Sequence, residues 1–169
     1  YKSKEIKYAE PGKSFTIGYL QSGGSVGNIF RAAETNDPEK PAQEIRAVSI
    51  GVGSANVSGS IQIYTSSGVM ADPTSGKAEL PAPQTFVTDA SGLYTISLDK
   101  PVYVTAGEYF SVVFTLTTKA GEVITVYTDK DLSSTDGSLT FRNETAKGQS
   151  FIKSYSGGKW ADQKKTIVS

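Results

Sequence analysis

From Glu108 to Leu116 the chain reads EYFSVVFTL, a run in which side chains of two kinds alternate. Phe110, Val112, Phe114 and Leu116 fall on one parity; Tyr109, Ser111, Val113 and Thr115 fall on the other. A period of two is the signature of a strand, and it sends one of these sets into a core. The alternation returns in SIQIYT (60–65), LYTISL (93–98) and VITVYT (123–128). In EIRAVSIGV (44–52) it starts on one phase and shifts, which predicts a β-bulge near Ala47. KSFTIGYL, GNIFRAA, SLTFR, SFIKSY and KTIVS are further strand candidates, and no window carries a helical stripe.

Turn chemistry separates these runs. TDASG (88–92), TAG (105–107) and KAGE (119–122) read as tight connections, and ETNDPEKPAQE (34–44), with two prolines, as a loop. The longest connection, SSGVMADPTSGKAELPAP from Ser66 to Pro83, exceeds a simple hairpin turn and is expected to form a mobile face. Roughly ten short strands with no dividing linker predict one all-β domain over residues 1–169, an antiparallel two-sheet sandwich of jelly-roll type. The opening YKSKEIKY reads as the start of a mature fragment or an excised module.

Composition narrows function more than fold. The chain has no cysteine and no histidine, which removes Ser-His and Cys-His nucleophile pairs, disulfides and ordinary zinc sites. A two-carboxylate glycosidase would need an acidic pair beside an aromatic floor, and none is legible. The chain is therefore expected to have no catalytic residues. Seventeen basic residues balance seventeen acidic ones with no basic stripe, which argues against nucleic acid as a partner. No apolar stretch approaches membrane-spanning length.

The candidate binding residues are aromatic. A pyranose offers one apolar face and a rim of hydroxyls, so flat rings among polar neighbours suit it. Tyr64, Tyr94, Tyr127 and Tyr155, with Tyr103, could supply such rings. A strand tyrosine with an apolar body and a wet tip also simply packs, and for any single tyrosine packing is the commoner role. Trp160, the one tryptophan, follows a Gly157-Gly158 turn; alternation drawn back through that turn places it opposite Phe151 or Tyr155, on the core side.

Oxygen-rich turns leave calcium as the natural metal, as a structural ion. The candidate ligands are Glu34 and Asp37 in ETNDPE, and Asp129, Asp131 and Asp136 in DKDLSSTDG, with Asp162 as a further contributor. The second stretch fails the EF-hand pattern at Ser134 and Thr140, and each of these loops also reads as a solvated turn. Asn56-Val57-Ser58 and Asn143-Glu144-Thr145 are glycosylation sequons, meaningful only in a eukaryotic secretory chain, and no phosphate loop is present.

Several stretches taken in order carry a resemblance: GNIFRAAETNDPEKPAQEIRAVSIGV, SIQIYT, GLYTISLDKPVYVTAGEYFSVVFTL and GQSFIKSYSGGKWAD. Together they resemble the lectin-like β-sandwich domain that accompanies papain-type cysteine peptidases in secreted and cell-surface proteins of bacteria and archaea. The likeness runs from about Gly27 onward, with residues 1–26 matching less specifically. It implies a non-catalytic extracellular module that positions an attached or neighbouring cysteine peptidase domain or binds cell-surface polysaccharide. The alternative is a structural or protein-interaction module of a surface protein without sugar binding. The resemblance puts Trp160 and Asp162 in the family's terminal W.D pattern, where a ring under a closing strand fits the spacing better than a platform.

Overall fold

The structure, a computed structural model, describes residues 16–32, 42–119, 121–128, 131–133, 140–142 and 150–162. The strands are β1 (Thr16–Leu20), β2 (Ser25–Arg31), β3 (Ala42–Val52), β4 (Val57–Ser66), β5 (Lys77–Ala78), β6 (Gln84–Thr88) and β7 (Gly92–Thr105). They continue as β8 (Tyr109–Thr117), β9 (Ile124–Thr128), β10 (Asp131–Ser133), β11 (Thr140–Arg142), β12 (Ser150–Lys153) and β13 (Ala161–Asp162).

Two antiparallel sheets pack together, as the alternation requires. The smaller has the order β1-β9-β3-β7; the larger has the order β13-β12-β2-β8-β4-β5, with β6 also on β4. β10 and β11 pair antiparallel as a separate two-stranded sheet, with β10 against β3. Most connections carry the chain from one sheet to the other, as in a jelly roll: β2 to β3, β3 to β4, β6 to β7, β7 to β8 and β8 to β9 all cross. The KTIVS strand candidate lies outside the described residues.

β8 sits centrally in the larger sheet, between β2 and β4. Phe110, Val112, Phe114 and Leu116 all enter the inter-sheet core, as their parity predicts. They meet Ile61 and Ile63 of β4, Val48, Ile50 and Val52 of β3, Val102 and Val104 of β7, and Ile124 and Val126 of β9. Phe30 lies 5.4 Å from Phe110 between ring centroids, and Phe86 meets Phe114 edge-on at 6.1 Å. Such aromatic contacts add to the burial that drives the fold.

The register breaks where the phase shift in EIRAVSIGV predicts. It passes from Ile45↔Val102 to Ala47↔Ser97, two steps along β3 against five along β7. The extra residues therefore belong to β7, around Pro101, whose missing N–H suits a gap in the ladder. TDASG, TAG and KAGE connect β6–β7, β7–β8 and β8–β9, and Gly107 takes the positive φ of 80° that the second turn needs.

The long connection from Ser66 to Pro83 is not the free face its length suggests. It carries β5 and lies against the outer side of the larger sheet, with Met70 and Pro73 buried. That outer face is the second apolar surface of the domain.

Candidate functional site

Three neighbouring strands place Tyr64, Ser111 and Ile29 side by side, because β4 pairs Tyr64 with Ser111 and β2 pairs Ile29 with Ser111. Two residues along β8, Tyr109 lies between Ser66 of β4 and Arg31 of β2. These residues are on the parity opposite to Phe110 and Phe114, so they face away from the inter-sheet core. A solvated outer face would leave Ser111 and Val113 wet, yet both are buried.

The cover is a strap, residues 67–76. Ser111 Oγ donates a hydrogen bond to the Pro73 carbonyl, and the Pro73 ring rests where Gly27 has no side chain. The strap's shape is set locally. Asp72 Oδ1 accepts from the Thr74 N–H at 2.8 Å and from the Thr74 hydroxyl at 2.9 Å, while the Ser75 hydroxyl donates to the Asp72 carbonyl at 2.8 Å. This is the local side-chain capping that Asp and Ser supply in turns. Downstream, the Gln62 amide stands in for a strand: its Nε2 donates to Leu80 O at 3.1 Å, and its Oε1 accepts from Leu80 N at 3.0 Å.

The last hairpin completes the cover. β12 pairs with β2, and β13 pairs with β12 in the register Phe151↔Asp162, Ile152↔Ala161. Ile29, Met70 and Phe151 form a small buried cluster, with Tyr64, Tyr109 and Trp160 packed around it. Trp160 Nε1 donates to Thr74 Oγ1 at 3.2 Å. The Lys153 ammonium stands 6.0 Å from the Trp160 ring centre, and the Arg31 guanidinium 5.5 Å from that of Tyr109. Both are cation–π distances. Arg31 Nε also donates to the Gly107 carbonyl at 3.1 Å.

This corrects the core-side placement of Trp160. The ring shares a cluster with Phe151, but that cluster lies on the outer face, and Phe151 pairs with Asp162 instead. There the indole is half-buried and its N–H is bonded.

The predicted tyrosines separate. Tyr64 joins the outer cluster, whereas Tyr94 packs against the inter-sheet core and its hydroxyl donates to the Ala90 carbonyl at the β6–β7 turn. Tyr155 is exposed in the turn after β12, and Tyr103 is exposed on β7. Tyr127 lies on β9 opposite Ile17 and Gly51. Of the calcium candidates, Glu34, Asp37, Asp129 and Asp136 lie outside the described residues, and Asp131 opens β10. Among the described residues no three acids gather as a metal site would need. No helix of the described residues is long and apolar enough to cross a membrane.

Sequence reasoning missed Gly27, Pro73, Thr74 and Tyr109 as parts of one surface. Two signals pointed there: Val113 makes EYFSVVFTL apolar on both parities, and Met70 is an apolar residue in a polar loop. Chemically, the described surface offers rings, hydroxyls and two cations. It is suited to recognition and packing.

A family model described as a lectin-like domain matches residues 7–169. Among solved structures, the clostridial cysteine protease Cwp84 after propeptide cleavage aligns with a TM-score of 0.54 at 13% identity, over 89% of this chain and 36% of that one. A structure of the cysteine protease and lectin-like domains of Cwp84, a surface layer associated protein of Clostridium difficile, aligns with a TM-score of 0.53 at 11% identity, over 90% and 33%. At such identities the likeness is one of fold, and the chain spans about a third of the length of the solved chains it matches. A comparison with curated protein sequences gives no match.

Proposed function

Because the chain belongs to the lectin-like domain family, we propose that it is a non-catalytic accessory module that positions an attached cysteine peptidase at a bacterial or archaeal cell surface. The observation that carries this reading is the family match over nearly the whole chain. The same fold within a surface-layer-associated cysteine protease supports it. The chain itself holds no cysteine or histidine with which to build such a peptidase site. Its most elaborate described surface is spent on packing a strap against the sheet, which suits a scaffold.

Binding of cell-surface polysaccharide is the second reading. The exposed ring of Tyr155, with the half-buried rings of Tyr64 and Tyr109, favours it.

The test is to measure binding of the purified chain to the papain-type peptidase domain encoded in the same precursor, alongside a glycan array. A stable complex without a glycan signal supports positioning. Saturable glycan binding with no peptidase complex supports the second reading, and a precursor without any peptidase domain overturns the first.

A further inference from the structure

We propose that the strap and the β12–β13 hairpin form one latch, fastened by the hydrogen bond from Trp160 Nε1 to Thr74 Oγ1, so that the two open and close together. The strap has no strand pairing between Ser66 and Lys77. Apart from the local bond from Gly68 N to Ser66 Oγ, its described hydrogen bonds to other parts of the chain are Ser111 Oγ to Pro73 O and Trp160 Nε1 to Thr74 Oγ1. The hairpin is also lightly held: among the described residues β13 pairs with β12 alone, over two residues, and β12 reaches the sheet through β2 and the bond from Gln21 N to Ser154 O at 2.7 Å.

Each side needs the other for its apolar contact. The buried cluster draws Ile29 from β2, Met70 from the strap and Phe151 from the hairpin, so lifting either flank wets the remaining two. Segments with few contacts of their own open as units when they share such a cluster. The fastening is directional. The Thr74 hydroxyl spends its proton on Asp72 Oδ1, which leaves an oxygen lone pair to accept the indole N–H. Opening the latch uncovers Ile29, Tyr64 and Tyr109 on three adjacent strands, an aromatic face that the closed form partly hides.

Deuterium exchange of the whole chain tests this, with β3 and β7 as the internal reference. Thr74→Val keeps the side-chain shape and removes both the acceptor for Trp160 Nε1 and the donor to Asp72 Oδ1. It should speed exchange of 150–162 by about three- to tenfold, the factor that one net hydrogen bond gives, speed exchange of 67–76 at least as much, and shift Trp160 emission to the red. Thr74→Ser, which retains the hydroxyl, should behave as wild type. Ser111→Ala releases the strap at Pro73 without touching the hairpin, and the latch requires that 150–162 loosen there too. Faster exchange in the strap alone, in either Thr74→Val or Ser111→Ala, overturns the proposal.

Discussion

Gly27 of β2 and Pro73 of the strap meet where a side chain would otherwise stand. A Cβ at position 27 would lie 2.6 Å from Pro73 Cβ, 2.8 Å from Pro73 Cγ and 3.4 Å from Trp160 Cη2. The proline ring is stiff, and its carbonyl is held by Ser111, so the strap has to move as a piece. Gly27→Ala is therefore expected to destabilise by about 1–3 kcal/mol, the usual cost of overpacking. Urea denaturation measures it. An unchanged midpoint would show that the strap yields freely.

Phe114 anchors the inter-sheet core and meets Phe86 edge-on. Phe114→Ala should cost about 3–5 kcal/mol, from lost burial and the cavity left behind. Equilibrium unfolding followed by circular dichroism checks it, and a loss below ~1 kcal/mol would mean that the sheets close over the gap.

Gln62 satisfies both backbone groups of Leu80 and also accepts from its neighbour Ile63 N at 2.9 Å. Gln62→Ala leaves the Leu80 N–H and C=O without those partners. The expected loss is about 1–3 kcal/mol, with faster amide exchange at Leu80 itself. Unaltered exchange there would show that water replaces the side chain at no cost.

The purified chain should not turn over peptides, esters or glycosides, since it has neither histidine nor cysteine and its described outer surface offers rings and hydroxyls. Activity assays on successive chromatographic fractions decide this. Turnover that follows the protein peak and vanishes on replacing a single Asp or Glu would make the chain an enzyme.

The strands and their inward faces were legible because side-chain alternation is a local property. Phe110, Val112, Phe114 and Leu116 share a face whatever the rest of the chain does. The register break at Ala47 was legible for the same reason: a slip in phase shows in nine consecutive residues. Its location on β7 was not, because the surplus residues around Pro101 are apparent only once the two strands are aligned.

Trp160 marks where local reasoning stops. Alternation assigns parity, and parity names a core face only if the opposite face is wet. Here the larger sheet is covered on both sides, by the second sheet and by a strap whose Pro73 and Thr74 lie far along the chain from Gly27 and Trp160. The amino-acid sequence by itself determined an all-β sandwich and excluded histidine and cysteine chemistry. Only the tertiary structure decided which loop covers which strand, because that depends on shape complementarity between segments with no periodicity in common.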